Sequence, residues 1–408
     1  MFRIKDYHLH LPHLTFDNTK NLRLLFGIRV IRDLVNKMSL FFVPVFLYTV
    51  GENSNFFSFM ELSSFQSGML TLCLYYVIHG AVGFSAGIPS GLLYRKIGYQ
   101  RSFVFSFLLR SLFFISLYFA KQNPLFLLSA VVLDAVNQQM FWSGYYSILS
   151  KDALKKNIGK DLGLLYTLIQ IVSVISPAVS GYIGYMVGIE FLFLIGLVLT
   201  MISSIFAIAM DVDISTNTVS FKEFIKWLKE SRFVTLGASF AGKYIYDASI
   251  YIWPLYIYLL LGSIDKVGYL YTVSLFLALL FTYFVGVYAD KHKNKKPFYI
   301  SGGVLSLITI LRTQVFSIWS IAFVDMFDKL VSNVYNIYFD SMFMKRGKGH
   351  SATSFFIYRE MLLNMTTVFF WTCASIFFLF FSGWQSLYIL ASIGVLVGLL
   401  MKDSKYDR

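Results

Sequence analysis

The sequence predicts an all-α integral membrane protein whose twelve transmembrane helices form two pseudo-symmetric six-helix bundles. Three observations predict this fold: an apolar composition, twelve separate apolar stretches, and a similarity between the two halves of the chain. Of the 408 residues, 57% are hydrophobic and only 14% are charged, whereas a soluble domain carries roughly 25% charged residues. This much apolar surface excludes a water-soluble fold, and the same hydrophobicity excludes an intrinsically disordered chain.

Twelve apolar stretches are long enough to cross a bilayer. A helix needs about 20 apolar residues to cross the hydrocarbon core, and a backbone in lipid must satisfy its own hydrogen bonds. The stretches show no strand-like alternation, so we interpret each of them as a helix. We call them spans 1 to 12, and they lie near 25–50, 68–93, 102–120, 124–148, 163–187, 191–210, 233–261, 267–289, 297–315, 319–343, 353–381 and 384–401.

The distribution of lysine and arginine predicts the orientation of the spans. Of the 35 Lys and Arg residues, 25 lie in connections on the side of the N-terminus, while the opposite side has only Lys121 and Lys266. Because basic residues are retained in cytoplasmic loops, we expect a multi-pass protein of the cell membrane with both termini in the cytoplasm. The bias explains much of the net charge of +13 and leaves no basic soluble face for a nucleic acid.

A polar break divides the spans six and six. We expect residues 1–210 to form a cytoplasmic tail and a six-helix bundle, 211–232 a cytoplasmic linker, and 233–408 a second six-helix bundle with a short tail. Apolar residues between 221 and 228 recur at helical spacing opposite three lysines. This pattern predicts a short interfacial helix with its apolar face in lipid, and a partly ordered linker is the alternative.

The two halves match each other at several positions. At a shift of 194 residues, Asp134 in span 4 corresponds to Asp328 in span 10. Segments that combine glycines with basic residues follow span 2, at 91–101, and span 8, at 286–296. Together these matches predict an internal duplication, which is typical of transporters built from repeats.

On these motifs the chain resembles the major facilitator superfamily. The segments are similar to that family's signature after helix 2, which combines a glycine, an acidic residue, basic residues and a second glycine. The resemblance implies a cytoplasmic gate that holds the two bundles together. Its candidate residues are Gly91, Arg95, Lys96, Gly98 and Arg101 in the first copy and Gly286, Asp290 and Lys291 in the second. Because Arg95 occupies the acidic place and Lys293 the place of the later glycine, we expect the latch either to be weaker here or to rely on Asp290.

Fifteen ionisable residues lie inside the spans. Each would cost about 2.5–3.5 kcal/mol if it faced lipid at mid-bilayer, so we expect them to face the protein interior or a watery cavity. Arg29, Arg312 and Asp340 lie near helix ends, where snorkelling explains them. The eight bases are Arg29, Arg32, Lys37, Arg110, Lys243, Arg312, Lys329 and Arg359. The seven acids are Asp33, Asp134, Asp247, Asp325, Asp328, Asp340 and Glu360.

The family resemblance implies that spans 1, 4, 7 and 10 line a central cavity, flanked by spans 2, 5, 8 and 11. Every acid and six of the eight bases belong to spans 1, 4, 7, 10 and 11, which predicts a polar translocation path. Eight tyrosines are further candidates to line it, although most aromatic residues in such a bundle pack or lie at the interface. They are Tyr145, Tyr146, Tyr244, Tyr246, Tyr251, Tyr256, Tyr335 and Tyr338. The candidate cavity and ion-coupling residues are Arg32, Asp33, Lys37, Asp134, Lys243, Asp247, Asp325, Asp328, Lys329, Arg359 and Glu360.

Two acid–base pairs are expected within single helices. Asp33 and Lys37 in span 1, and Lys243 and Asp247 in span 7, are four residues apart and so share a helix face. One interpretation is that each pair neutralises itself and so makes insertion cheaper. The other is that substrate or a proton competes for one partner.

Asp134 has no obvious partner on its own helix. Burial away from water favours the protonated form of a carboxylate, which suits proton binding and release. Asp134 is therefore our first candidate for a proton carrier, and a salt bridge to Arg110 on the adjacent span is the alternative.

These features together predict a secondary active transporter rather than an enzyme. We expect a monomer that moves a small solute by alternating access, coupled to H⁺ or, alternatively, to Na⁺. No nucleotide-binding phosphate loop is present, so direct ATP coupling is not expected. We expect no cofactor and no metal, since the histidines at 8, 10 and 13 lie in a polar tail. A lipid flippase or solute sensor on the same scaffold is the alternative, and a membrane-embedded transferase is a more distant one.

Overall fold

The computed structural model describes residues 20–54, 56–152, 158–212, 214, 218–291, 295–346, 352–380 and 384–401. At several helix ends, including 280–291, it describes the backbone alone. The histidines of the N-terminal tail lie outside the described residues. Within the described part of the chain there is no β-strand.

Each predicted span coincides with a helical segment. Span 1 comprises Lys20–Val35, Asn36–Leu40 and Val43–Glu52. Spans 2 to 12 are Ser64–Ile97, Tyr99–Ala120, Phe126–Asp152, Ile158–Met186, Ile189–Ile208, Ser231–Leu261, Ile264–Lys291, Lys296–Leu311, Ile318–Arg346, Ala352–Phe380 and Gln385–Gly398. We call the side on which span 1 begins and span 12 ends the terminal side, and the other the distal side.

Among the residues that the structure describes, seven helices are long and apolar enough by themselves to cross a membrane, namely spans 1, 2, 3, 5, 6, 7 and 11. Spans 9 and 12 are short, with 16 and 14 residues in their α-helices. Spans 4 and 10 carry several buried polar and charged side chains, which lowers their hydropathy. We expect spans 4 and 10 to cross the membrane because their polar faces are covered by neighbouring helices rather than by lipid.

Span 1 is interrupted near its middle. Residues Asn36–Leu40 form a π-helical segment, and the α-helix resumes at Val43 with Pro44 in its first turn. Proline has no N–H to donate to the carbonyl four residues earlier, and its ring clashes with that carbonyl. In span 7, by contrast, Pro254 lies inside one continuous helix. The interruption places Lys37 in the π-helical segment.

The two halves meet through spans 2 and 11 and through spans 5 and 8. On span 2, Gly80, Gly83 and Gly87 face Asn364 and Met361 of span 11 so closely that a Cβ atom would lie 2.3–2.7 Å from them. Small residues let membrane helices approach to backbone contact. Gly181 and Gly268 allow a similarly close backbone approach between spans 5 and 8.

Two apolar clusters enclose a polar middle layer. The distal cluster combines residues of both halves, such as Phe46 and Trp253. The terminal cluster combines others, such as Phe141, Phe240 and Phe343. Along the chain, most charged residues of spans 1, 4, 7 and 10 lie between residues of the two clusters, while Asp340, Arg359 and Glu360 border the terminal cluster.

A short helix, Phe221–Lys229, connects the halves. The Ser220 hydroxyl caps it by accepting a hydrogen bond from the Glu223 amide at 3.2 Å. Phe224 and Trp227 are buried against Tyr358 of span 11 rather than facing lipid. The expected lipid-facing surface, which included Phe224 but not Trp227, is thus wrong for Phe224, because the helix packs on the protein.

Candidate translocation site

Tyr251 shows that accessible space reaches the middle of the molecule. It lies beside Ile252 and Trp253, which are fully buried, yet 56% of its own surface is accessible. It is within electrostatic range of Asp247 on the same helix and of Asp134 in the other half. One turn away, the Asp247 side chain is 42% accessible. These side chains face a passage between the halves, because charges of both halves surround them.

Asp134 is held by a histidine of span 2. His79 Nε2 lies 3.3 Å from Asp134 Oδ2, and Gln138, one turn further along span 4, donates to Oδ1 at 3.4 Å. The alternative partner, Arg110, makes no ion pair with Asp134 within 4.0 Å and instead donates to Asn36 Oδ1 at 2.8 Å. The structure therefore gives Asp134 a titratable partner that the sequence analysis did not name.

Arg32 is bound by amides rather than by a carboxylate. Its Nη2 donates to Gln138 Oε1 at 2.7 Å and to Asn137 Oδ1 at 3.4 Å. The guanidinium carbon lies 3.5 Å from the centre of the Phe141 ring. Arg32 is 3% exposed, so the charge is taken up by dipoles and an aromatic face.

The expected pair of Asp33 and Lys37 does not form. Asp33 Oδ2 lies 2.9 Å from Arg29 Nε, one turn earlier on the helix. Lys37 lies in the π-helical segment, which changes the register that the prediction assumed. It is instead within electrostatic range of Lys329 and Asp325 across the passage. Arg29 is also not a snorkelling residue, because it lies inside against the Trp142 ring at 4.7 Å.

The pair in span 7 forms as expected. Lys243 Nζ lies 2.6 Å from both carboxylate oxygens of Asp247. Asp340 of span 10 is within electrostatic range of Lys243 and Asp247. Asp340 thus belongs to the polar layer and not to a snorkelling helix end.

Span 10 contains a denser cluster. Arg312 Nη2 lies 3.0 Å from Asp328 Oδ2, and both side chains are almost completely buried. Tyr246 of span 7 donates to Asp328 Oδ1 at 3.1 Å. Lys329 Nζ lies 3.8 Å from Asp325 and 3.9 Å from Asp328. Snorkelling is therefore wrong for Arg312, since it is 0% exposed and neutralises a carboxylate of the next span.

Arg359 and Glu360 are neighbours in span 11 and pair with each other. The Arg359 guanidinium also lies 4.5 Å from the Phe343 ring and 5.2 Å from the Tyr146 ring of span 4. One turn from Glu360, Asn364 donates to Gln139 of span 4 at 2.9 Å. Span 11 thereby links charged groups of the second half to the first.

In the first copy of the predicted gate motif, the first glycine packs closely against neighbouring segments. A Cβ atom at Gly91 would lie 2.1 Å from Val219 of the linker and 3.1 Å from Ile357 of span 11. Gly98 ends span 2 with a φ of 85°, a conformation that favours glycine. The basic residues Arg95, Lys96 and Arg101 are exposed and form no ion pair among the described residues.

The second copy is described only in its backbone. Span 8 continues as a helix to Lys291, so Gly286 and Asp290 are helical. The side chains of Gly286, Asp290 and Lys291 lie outside the described part, and the latch through Asp290 stays a prediction.

Several polar residues of the layer escaped the sequence analysis. All are uncharged polar or histidine side chains inside predicted spans, and three of them are consecutive in span 4, which is the signal that could have marked them. They are Asn36, His79, Asn137, Gln138, Gln139 and Asn364. Arg110 and Arg312 were named as bases but left out of the candidate site. Within the described residues, no group of three or more His, Cys, Asp or Glu side chains is arranged for a metal.

The sequence profile described as the Major Facilitator Superfamily matches residues 25–246, more than half of the chain. The chain belongs to this superfamily. The match confirms the predicted family. No curated protein matches the chain by sequence.

Solved structures of the same superfamily share the fold. The human organic anion transporter MFSD10 (TETRAN) superposes with a TM-score of 0.68 at 11% identity, covering 94% of this chain and 99% of that one. A D-xylose–proton symporter superposes with a TM-score of 0.65 at 14% identity, covering 94% and 96%. The predicted all-α membrane fold is thus confirmed, and the chain is a secondary transporter rather than an enzyme.

Proposed function

We propose that this transporter moves a small polar solute by alternating access and couples the movement to protons. The observation that supports the coupling is the contact of His79 Nε2 with Asp134 Oδ2 at 3.3 Å, within electrostatic range of the accessible Tyr251. An imidazole titrates near neutral pH, and ionisable residues inside membrane spans mark proton relays. The pair therefore has the chemistry to take up a proton on one side and release it on the other.

A proton on Asp134 changes the forces inside the first half. Ionised Asp134 attracts His79, Arg32 and Arg110, which are all within its electrostatic range. Protonation removes this attraction and alters the relative free energies of the two arrangements of the halves. Solute bound near Asp247 and Tyr251 lies in the same passage as Asp134. Solute and proton therefore both act on the equilibrium between the two arrangements of the halves.

The passage suits a solute with hydrogen-bonding or charged groups. Lys243 and Asp247 present both signs of charge, and Tyr251 presents a hydroxyl. Of the two similar structures, one is named as an organic anion transporter and the other as a sugar–proton symporter. Organic anions, zwitterions and sugars are therefore the solute classes to test first.

We further propose that the terminal side is cytoplasmic, that the protein lies in the cell membrane, and that it acts as a monomer. The bias of 25 Lys and Arg residues on that side supports the orientation. Labelling of single cysteines introduced at Lys121 and Lys266 in intact cells tests it. Reaction with a membrane-impermeant reagent is expected at both positions, and protection at both would reverse the orientation.

The coupling is tested in two steps. A thermal-shift screen of the purified protein against organic anions, zwitterions and sugars at two pH values selects the solutes that bind. Proteoliposomes that contain a pH-sensitive dye then report proton movement when a selected solute is added. We expect solute uptake to follow the pH gradient and to carry protons. Uptake that ignores the gradient and moves no proton would contradict the coupling while leaving transport intact.

A further inference from the structure

Two arginines in the first half share a small internal cavity between spans 1, 3 and 6. It is lined by Arg32, Arg110, Thr200 and Ser203, with Val35 and Phe107 among the apolar walls. The cavity is hardly larger than one water molecule. Span 6, which supplies Thr200 and Ser203, is not one of the spans expected to line the passage.

The polar atoms around this cavity lack hydrogen-bond partners within the described chain. They include Nε and Nη1 of Arg32 and Nη1 of Arg110. Both side chains are at least 97% buried. A buried donor that is left unsatisfied costs about 1–3 kcal/mol, and a charged one costs more. An occupant that accepts these hydrogen bonds would remove that cost.

The two hydroxyls of span 6 lack partners as well. A serine or threonine inside a helix commonly donates to the carbonyl three or four residues earlier, as Ser204 does to Met201. Thr200 Oγ1 and Ser203 Oγ make no such bond, although each residue is 2% exposed. Their protons are therefore available to the cavity.

No carboxylate neutralises these arginines within 4.0 Å in the described part of the chain. Asp33 is bound by Arg29, and Asp134 by His79. The polar bonds of Arg32 and Arg110 go to the amide oxygens of other residues. Arg29, Arg32 and Arg110 thus face two carboxylates, so one positive charge among these five groups is not balanced. Lys37, the other base of this half, is within range of Asp325 and Lys329 of the second half.

We propose that the cavity is a binding site for one monatomic anion of the size of chloride. Guanidinium groups and hydroxyls are donors that an anion requires, and the unpartnered atoms are donors of these two kinds. The cavity is too small for phosphate or sulfate, and a halide, which is larger than water, requires the lining side chains to move slightly apart. A halide also balances the remaining positive charge, which a water molecule does not. The site ties spans 1, 3 and 6 together. It shares Arg32 and Arg110 with the surroundings of Asp134, but its test measures halide binding and needs no proton-coupled transport.

The purified full-length protein tests the site through its halide-dependent melting temperature. Sodium gluconate is replaced by sodium chloride or sodium bromide at constant ionic strength. We expect a saturable rise of the melting temperature with either halide, because a ligand that binds only the folded state stabilises it. Equal melting temperatures in chloride and gluconate would overturn the proposal.

Single hydroxyl deletions make the test specific without removing a buried charge. Ser203→Ala and Thr200→Val are each expected to weaken halide binding about tenfold, since a hydrogen bond to a charged group contributes about 1.5–3 kcal/mol. Ser204→Ala is the matched control, because Ser204 is only partly buried, does not line the cavity and donates to Met201, and it should not change the affinity. Unchanged affinity in both cavity variants would overturn the proposal.

A crystal grown in bromide gives an answer that does not depend on stability. An anomalous peak is expected between Arg32, Arg110, Thr200 and Ser203. A water molecule at that position without anomalous signal would show that the cavity holds solvent only, and would reject the anion site.

Discussion

His79 and Asp134 meet across spans 2 and 4, with Nε2 and Oδ2 3.3 Å apart. Both side chains are mostly buried, at 13% and 11% exposure, and both belong to the half that carries the excess of buried arginine. The contact joins span 2, which packs against span 11 of the other half, to span 4, which is expected to line the passage. It is the point at which we propose that a proton changes the charge of the central layer.

Asp134→Asn is expected to reduce pH-gradient-driven uptake to the background of empty vesicles. Asparagine keeps the size and much of the hydrogen bonding but binds no proton, so folding should persist. The measurement is uptake of a solute found by the thermal-shift screen, with and without a pH gradient. Glu190→Gln is the control, because Glu190 pairs with Lys121 at the distal end of the bundle. A normal pH profile in Asp134→Asn would contradict the proton-carrier role.

Exchange of Lys243 and Asp247 should be tolerated better than Lys243→Ala. The exchanged residues keep an ion pair one turn apart, whereas alanine leaves Asp247 facing Asp340 without its lysine. We expect Lys243→Ala to lose about 1–3 kcal/mol of stability, between the values for exposed and buried pairs. Thermal unfolding and uptake are measured together. Normal stability with lost transport in the exchanged protein would indicate that the pair contacts solute.

Arg312→Met is expected to destabilise the protein by about 3–5 kcal/mol, because it leaves Asp328 buried without its arginine. Restoring an apolar partner in the double variant Arg312→Met/Asp328→Leu should recover much of this loss. Lys121→Met breaks a pair whose lysine is 62% exposed and should cost less than about 1 kcal/mol. The measurement is thermal unfolding in detergent. A loss in Arg312→Met no larger than that in Lys121→Met would contradict the buried ion pair.

Gly80→Ala should weaken the contact between the halves. The added Cβ would lie 2.7 Å from the backbone oxygen of Asn364, and such overpacking costs about 1–3 kcal/mol. The expected results are a lower melting temperature and greater accessibility of a cysteine placed at Met361 to a thiol reagent. Gly303→Ala is the control, since nothing lies within 4 Å of its added Cβ. Equal effects of the two variants would contradict close packing of spans 2 and 11.

Sequence reasoning found most of the polar layer but not its pairing. The identity of Lys243 and Asp247 as partners follows from their spacing on one regular helix. The same rule fails for Asp33 and Lys37, because Pro44 and the π-helical segment change the register of span 1. His79 escaped notice because a single histidine in an apolar run has no partner along the chain.

The sequence by itself determined the class of protein, the number of helical spans and the spans that carry charge. These follow from local quantities: the length of each apolar run and the cost of a charge in lipid. Only the tertiary structure decided that Arg312 neutralises Asp328, that His79 holds Asp134, and that Arg32 and Arg110 share a cavity. Such contacts depend on the rotation and depth of one helix against another, which is set by the packing of all helices together and leaves no periodic signal within any single span.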